Sequence, residues 1–464
     1  MSAVETMGRA RGHAGLVLML GAVVGCAGDS GNATAPTDPA SRVASVAVGA
    51  VSELVFAGDT IQLVAVARDD AGRVLERVTV GWSSSADSIA TIDASGRLVG
   101  VGHGTVTVTA SAGRATAAAL LPVHLTAEDR RFAYAWVHDP TTSTRYRPAA
   151  THQQNGTGGE IAIARRSVGE YVVTFERMAK VESSFRETVL VTAGGTRGER
   201  CHLNGWSDAE NGRDLDVSVS CYSFTGSRVD ARFSVLVVGS RSLPSRMGFT
   251  VTGDAATSFA SQSHHTFSSF SVGIGVSRST AGSYLVQLAG TAGTAGSSPQ
   301  NYFVSTVGGA DDLCKVSSWN RDVWATVVCY GPSGALADAR FSLLTLESGR
   351  PGRRFGFAWS NDPSTPIGDS YTPSLAYQRT SSGLPVRIGH AATGVYVASF
   401  PGMARVGTRA ETVQVSSYGG GLYSCQVEGW ANSADGSALE ATVRCWNRSN
   451  GSPADSYFTI LVLE

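Results

Sequence analysis

Cysteines and tryptophans recur together along this chain and are the residue types best suited to covalent or binding chemistry. Six of the seven cysteines form three pairs, and a tryptophan follows the first member of each pair in a Cys-x4-Trp motif. Such thiols can form disulfides or bind a metal, but CxxC spacing and matching histidines are absent from the sequence. Because the pattern occurs three times, we predict one disulfide within each copy and no cofactor. The predicted pairs are Cys201–Cys221, Cys314–Cys329 and Cys425–Cys445.

The tryptophans of this motif, Trp206, Trp319 and Trp430, are the candidate ligand-binding residues. Strict alternation along a strand places each of them in the polar register, and three equivalent exposed tryptophans would suit stacking on sugar rings or anchoring a protein partner. A small residue precedes each one, however, and a β-bulge there would turn the ring inward. We favour the bulge and keep ligand binding as the alternative. The polar residues in the same register include His202, Lys315 and Gln426.

Repeated carboxylates are the best remaining candidates for catalysis. Each copy closes with an Asp-x-x-Phe strand, and a turn or capping role suits an aspartate there better than catalysis does. No HExxH, GxSxG or phosphate-binding glycine loop is present, so we predict no catalytic residue, no metal site and no enzyme. Carboxylates that meet only in the fold, as glycoside hydrolysis requires, are a minor alternative. The repeated aspartates are Asp230, Asp338 and Asp455.

Other charged groups are assigned to the surface. His264-His265 occurs in one copy only and is typical of a solvated segment. Asp311-Asp312 is typical of a turn, and the arginines before the repeats, which include Arg131 and Arg354, indicate exposed linkers.

The seventh cysteine, Cys26, ends an apolar run at residues 14–24. As a helix this run would extend about 16 Å at ~1.5 Å per residue, too short to cross a bilayer core, so we interpret it as the core of a signal peptide. The preceding Val-Val-Gly resembles the lipobox of bacterial lipoproteins. That resemblance implies cleavage before Cys26 and lipidation of its thiol; an ordinary secretory signal with a chance cysteine is the alternative. We expect a signal peptide at 1–25, a flexible tether at 26–42 and a lipid anchor.

Short runs of alternating apolar and polar residues, separated by Gly, Ser, Asp and Asn, predict strands over the rest of the chain. Residues 43–123 contain AGDTIQLVAVARDDAG and VTVGWSSSADSIATIDASGRLVGVGHGTVTVTAS. These stretches resemble the bacterial immunoglobulin-like domain, group 2, in the Trp-Ser-Ser strand, the IATID segment and the GTVTV ending. The resemblance implies a small β-sandwich without catalytic residues, in which Trp82 belongs to the core.

The remaining chain holds three copies of one pattern, repeat 1 at 130–240, repeat 2 at 246–348 and repeat 3 at 354–464. Each has a Gly-x-Tyr strand, the Cys-x4-Trp motif, a second cysteine and the Asp-x-x-Phe strand, and repeat 2 is the most divergent. A repeat of this length is a domain and not a solenoid unit. The pattern is similar to repeats of secreted bacterial proteins, from which no activity carries over. We predict an all-β protein, with an N-terminal Ig-like sandwich followed by three homologous disulfide-bonded β-sandwich domains.

Charge excludes one class of partner. The formal net charge is −1 and only 16% of residues are charged, whereas nucleic-acid-binding domains carry a clear basic excess. We therefore expect a lipid-anchored protein of the cell envelope, in the outer membrane or at the cell surface, with a non-catalytic binding, adhesion or structural role. The alternative is carbohydrate binding through the repeat aromatics, and a hydrolase ranks below it. The expected partners are the membrane, through the lipid, and a surface glycan or another envelope protein.

Overall fold

The computed structural model confirms the predicted all-β fold. It describes residues 42–49, 55–56, 60–101, 104–124, 131–179, 186–240, 246–253, 259–260, 265–268, 273–288, 299–308, 310–320, 324–347, 354–407 and 410–464. Cys26 and the predicted signal peptide lie outside these residues. The chain divides into two compact units, Met1–Leu125 and Thr126–Glu464.

The first unit is the predicted small sandwich. Its sheets have the strand orders β1-β4, β2-β9-β8-β5 and β3-β7-β6. Apolar residues from these strands, among them Leu98, Val106 and Leu121, form one core, and Trp82 packs against it half-buried. The strands are β1 (Ser45–Val48), β2 (Val55–Phe56), β3 (Thr60–Gln62), β4 (Ala65–Arg68), β5 (Gly81–Ser84), β6 (Ala90–Ile92), β7 (Arg97–Gly100), β8 (Gly104–Ala112) and β9 (Ala115–His124).

The second unit contains the three repeats. Repeat 1 has β10 (Phe132–Val137), a 3-10 turn (Ala150–His152), β11 (Gln153–Asn155), β12 (Ile161–Ser167), β13 (Glu170–Phe175), β14 (Glu187–Gly194), β15 (Arg200–Asp208), β16 (Leu215–Tyr222) and β17 (Arg232–Gly239). Repeat 2 has β18 (Arg246–Val251), β19 (Phe259–Ala260), β20 (Phe267–Ser268), β21 (Ile274–Thr280), β22 (Ser283–Leu288), β23 (Gln300–Val307), β24 (Leu313–Asn320), β25 (Trp324–Tyr330) and β26 (Arg340–Glu347). Repeat 3 has β27 (Phe355–Ser360), β28 (Ser370–Tyr371), a 3-10 turn (Leu375–Tyr377), β29 (Gln378–Thr380), β30 (Arg387–Ala392), β31 (Val395–Pro401), β32 (Thr412–Ser417), β33 (Tyr423–Asn432), β34 (Ala438–Asn447) and β35 (Phe458–Leu463).

Each repeat is a sandwich of two layers, which in repeat 1 are the strands β11-β10-β17-β14 and β12-β13-β16-β15. The two layers differ in their sequence pattern. Strand β13 alternates, so Tyr171, Val173 and Phe175 face the core and their neighbours do not. The closing strand β17 is instead buried on both faces from Phe233 onward, with an uninterrupted apolar run at 235–238. Two-sided burial requires a second apolar neighbour for the β17 layer, beyond the core of its own repeat.

The other two repeats supply this neighbour, because the three repeats pair with one another through their strand edges. Strand β15 of repeat 1 pairs in parallel with β23 of repeat 2, where Leu203 lies opposite Val307. Strand β33 of repeat 3 pairs in the same way with β14 of repeat 1. A parallel bridge between Val316 and Tyr418 joins repeat 2 to repeat 3. Each repeat therefore contacts both others, and the three repeats form a closed ring. We call the three contacts junctions 1–2, 2–3 and 3–1.

Besides the core inside each repeat, the closed ring buries a further core that all three repeats share. In repeat 1 alternate residues of β17 serve two cores: Val235 and Val237 belong to the sandwich, whereas Leu236 and Val238 belong to the shared core. The shared core contains Phe132, Tyr134, Leu190, Leu236, Val238, Met247, Phe249, Phe303, Leu344, Leu346, Phe355, Phe357, Ala410, Leu461 and Leu463.

Side-chain hydrogen bonds repeat around the ring. Thr192 Oγ1 of repeat 1 donates to the Val415 carbonyl of repeat 3 at 3.1 Å and accepts from the Val415 amide at 2.9 Å. A hydroxyl that satisfies both backbone groups of one residue replaces a strand partner where the sheet layers of two repeats meet. The same pair of hydrogen bonds joins the Ser305 hydroxyl to the backbone of Val191 and the Ser416 hydroxyl to the backbone of Val304.

Candidate functional site

The cysteines lie on adjacent antiparallel strands of each repeat. Cys201 is the direct cross-strand neighbour of Cys221, and the two form a disulfide with a Cα–Cα distance of 4.1 Å. The first cysteine of each pair lies near the start of the strand that reaches the next repeat, so the disulfide holds the strand edge through which the repeats join. Cys314–Cys329 and Cys425–Cys445 are disulfides of the same kind.

A recurring set of hydrogen bonds ties the repeated aspartate to the Gly-x-Tyr strand. In repeat 1, Asp230 accepts hydrogen bonds from the Gly169 amide, the Tyr171 hydroxyl and the Arg165 guanidinium, each at 2.8–2.9 Å. Gly169 has a φ of +69°, and a Cβ there would lie 2.7 Å from the Cys221 carbonyl, so glycine is needed for this approach. Gly282, Arg278 and Asp338 make the equivalent bonds in repeat 2.

Repeat 3 replaces the arginine by His390. Its Nε2 lies 3.0 Å from Asp455 and its Nδ1 lies 2.5 Å from the Thr365 carbonyl. Tyr396 stacks on the imidazole at 4.9 Å. Both ring nitrogens are thus occupied inside the protein, so this His–Asp pair has the geometry of a structural tie, since a general base needs a nitrogen within reach of a substrate proton. The sequence pattern did not single out His390, although its position relative to Gly394 matches that of Arg165 to Gly169.

Each Cys-x4-Trp tryptophan follows a β-bulge. The register of β15 against β16 shifts between Leu203 and Gly205, directly before Trp206. The ring is half-buried against the core of its own repeat. Trp319 and Trp430 follow equivalent register shifts and are also half-buried against their own cores.

The tryptophans also contact the next repeat. Trp206 lies 5.3 Å from the His265 ring at junction 1–2, and Trp430 lies 5.0 Å from Trp136 at junction 3–1. His265 therefore packs on an aromatic ring, contrary to the solvated segment expected from its sequence; His264 is outside the described residues. The candidate binding residues are junction residues, and a ligand role for them stays a prediction.

Junction 2–3 is the most aromatic of the three. Trp319 lies 5.2 Å from Trp359, 5.8 Å from Tyr377 and 4.7 Å from Tyr418. Tyr457 extends the group, 6.1 Å from Tyr418, and it is 40% exposed while the other four are half-buried. We call these five residues the aromatic junction. Burial and the neighbouring phenols of Tyr377 and Tyr457 raise the pKa of Tyr418 to about 12.

The residue after each first cysteine points away from its own core and into the neighbouring repeat. His202, Lys315 and Gln426 are 3%, 0% and 3% exposed, so the polar register that the sequence pattern revealed is buried at the junctions. The Lys315 ammonium donates to the carbonyls of Gly420 and Tyr423 at 3.2 and 3.4 Å. Burial lowers the pKa of Lys315 to about 7. His202 lies 3.0 Å from the Ala310 carbonyl through Nδ1, and burial lowers its pKa to about 4.

Two charged groups that the sequence assigned to the surface are buried. Asp311 of repeat 2 is not a turn residue: it pairs with Arg200 of repeat 1, at 2.5 Å, and with Arg448 of repeat 3, at 3.4 Å. Burial and the nearby Arg200 lower the pKa of Arg448 to about 10. Arg131 is not an exposed linker residue, because it forms a buried ion pair with Glu187. Both predictions were wrong because a charge pattern does not indicate which partners the fold supplies.

The described ranges contain no group of three or more His, Cys, Asp or Glu side chains that could hold a metal ion. Within the same residues, no helix has the length and apolar character needed to span a membrane.

Comparison with known proteins identifies one part of the chain. Residues 42–121 match the family model of the bacterial Ig-like domain (group 2), in agreement with the resemblance at 43–123. No curated protein matches the sequence.

Several solved structures of the surface layer protein SbsC are also similar to the chain. Domains 4 and 5 share 14% identity over 43% of this chain and 97% of that one, with a TM-score of 0.18. Domains 4–9 share 11% identity over 77% of this chain and 58% of that one, also with a TM-score of 0.18. A TM-score this low does not establish a common fold.

Proposed function

We propose that the protein is a lipid-anchored component of the cell envelope, displayed at the surface, with a non-catalytic binding or structural role. Its anchor is the lipid on Cys26, with the membrane as one partner and a surface glycan or another envelope protein as the other. The match of residues 42–121 to a bacterial Ig-like family supports this class of protein.

One observation carries the non-catalytic part of the proposal. The repeated carboxylates, which were the best catalytic candidates, are used in internal bonds. Hydrogen bonding to Arg278 lowers the pKa of Asp338 to about 2, which holds it ionised and unsuited to general acid chemistry near neutral pH. Asp230 and Asp455 make similar internal contacts. Three disulfides and the closed ring give a rigid scaffold suited to an oxidising compartment.

The anchor is tested by metabolic labelling of bacterial cells with an alkyne-bearing fatty acid. The wild-type chain is expected to carry the label and to fractionate with membranes, whereas Cys26→Ser carries no label. Ser30→Ala, in the same segment, is the matched control and keeps both properties. Equal labelling of the wild type and Cys26→Ser would refute lipidation at this cysteine.

Surface display is tested separately with protease added to intact cells. Digestion of the wild-type chain without lysis supports display. Full protection in intact cells, with digestion after lysis, would place the protein inside the envelope and contradict display.

A further inference from the structure

Junction 2–3 differs from the other two junctions at positions where the fold does not require aromatic residues. The opening strands align Trp359 with Trp136 and Val251, since each of the three pairs with the residue that follows the phenylalanine of the Asp-x-x-Phe motif. The Asp-x-x-Phe motif aligns Tyr457 with Arg232 and Arg340.

Strand register supplies the other equivalences. Phe357 pairs with Arg379, Tyr134 with Gln154 and Phe249 with Phe267. The strand partners Arg379, Gln154 and Phe267 are therefore equivalent. The residues two positions before them are equivalent too, which aligns Tyr377 with His152 and His265. The parallel bridges likewise align Tyr418 with Gly194 and Val307.

The tyrosines of junction 2–3 are not needed to close the ring. Junction 3–1 also has a tryptophan, Trp136, where repeat 3 has Trp359. At the three tyrosine positions, however, junctions 1–2 and 3–1 close with histidine, arginine, valine or glycine, so closing the ring does not explain the tyrosines of repeat 3. Tyr457 is 40% exposed, and aromatic surface left in water forgoes the stabilisation that burial would give. Tyr457 is thus the exposed member of a contiguous, partly buried aromatic cluster, and contiguous aromatic surface that stays in water can mark an interaction site.

The chemistry of the aromatic junction selects the ligand. Its rings present apolar faces, and the ionisable groups that shift the pKa of Tyr418 are phenols, which are neutral below about pH 10. A site with aromatic faces, phenol hydroxyls and no charged member fits a ligand with an apolar face and many hydroxyls.

We propose that the aromatic junction is a binding site for a neutral glycan, with a pyranose ring packed against the exposed aromatic surface around Tyr457. The proposal rests on the proposed non-catalytic surface function and names the ligand class. An anionic headgroup or an acidic peptide lacks a cationic partner among the five residues of the aromatic junction, and a purely apolar ligand would make no use of the hydroxyl of the exposed Tyr457.

The test is affinity electrophoresis of the purified full-length protein in gels that contain hydroxyethyl cellulose, galactomannan, arabinoxylan or dextran. We expect retardation by at least one of these polysaccharides. The double variant Tyr377→His/Tyr457→Arg introduces the residues that both other repeats carry, so it is expected to fold and to bind at least tenfold more weakly. Phe224→Ala removes an aromatic residue of similar exposure, 38%, and is expected to bind as the wild type does.

Migration unaffected by all four polysaccharides would overturn the proposal. So would a double variant that melts at the wild-type temperature and binds with wild-type affinity. If the double variant does not fold, quenching of wild-type tryptophan fluorescence by cellohexaose and mannohexaose decides, and no change with either sugar refutes the site. Labelling at Cys26 and display on cells are measured independently, so failure here leaves the proposed surface function standing.

Discussion

The indole ring of Trp136 occupies the space that a side chain at Gly194 would need. A Cβ atom built on Gly194 would lie 2.1 Å from Cη2 of this ring. Trp136 of repeat 1 belongs to the core of repeat 3 and contacts Trp430 there. The absence of a side chain at Gly194 therefore leaves room for the ring that packs repeat 1 against repeat 3. At the equivalent place in repeat 3, Tyr418 and Trp359 coexist with their ring centroids 4.9 Å apart.

Gly194→Ala is expected to lower the free energy of unfolding by about 1–3 kcal/mol, because the new methyl group overpacks a filled site. Urea unfolding followed by tryptophan fluorescence measures the change. Gly275→Ala is the control, since its Cβ would have its nearest neighbour at 3.8 Å, and it should change stability by no more than about 0.5 kcal/mol. Equal stability of both variants would show that Trp136 does not hold this position.

Removing one disulfide should destabilise the repeat unit without changing its fold. Cys425 and Cys445 are 20 residues apart, and a crosslink that closes a loop of this size contributes about 3 kcal/mol in the chain-entropy model. Denaturant unfolding of Cys425→Ala/Cys445→Ala measures the loss. Adding a reductant to the wild type should lower its stability further than in the variant, which has one bridge fewer to lose. A variant as stable as the oxidised wild type would contradict this role.

Stability should rise with pH above neutrality because of Lys315. Its pKa falls from 10.5 to about 7 on folding, so between these values the unfolded state binds more protons and raising the pH favours the folded state. Relative to Lys315→Gln, which copies the glutamine of repeat 3, the wild type should gain on the order of 2 kcal/mol between pH 7 and 9. Parallel stability curves for the two proteins over this range would show that Lys315 is not desolvated.

His202 should make the protein sensitive to acid. Burial lowers its pKa from 6.5 to about 4, with Asp311 partly opposing the shift. The unfolded state therefore binds more protons between these values, and stability falls as the pH drops from 6.5 toward 4. Melting temperatures at pH 7 and 4.5 should differ less for His202→Gln than for the wild type. An imidazole that titrates near pH 6.5 in an NMR experiment would contradict the burial.

Local pattern was sufficient for much of this architecture. Alternation in strands such as β13 identifies the residues that face a sandwich core, because side chains of a strand point to opposite faces in turn. The threefold recurrence of cysteines led to the pairing found in the structure, and the Trp82 strand carried the resemblance that the family match supports.

By itself, then, the sequence determined the all-β class, the Ig-like segment and the three repeats. Only the tertiary structure decided that the repeats close a ring around a shared core and that Lys315 and His202 face a neighbouring repeat. It also decided that Asp311 joins arginines from two other repeats. The reason is physical: alternation indicates which side of a strand is polar but not what packs on that side. Partners separated by more than a hundred residues are brought together only when parallel strand edges of different repeats meet.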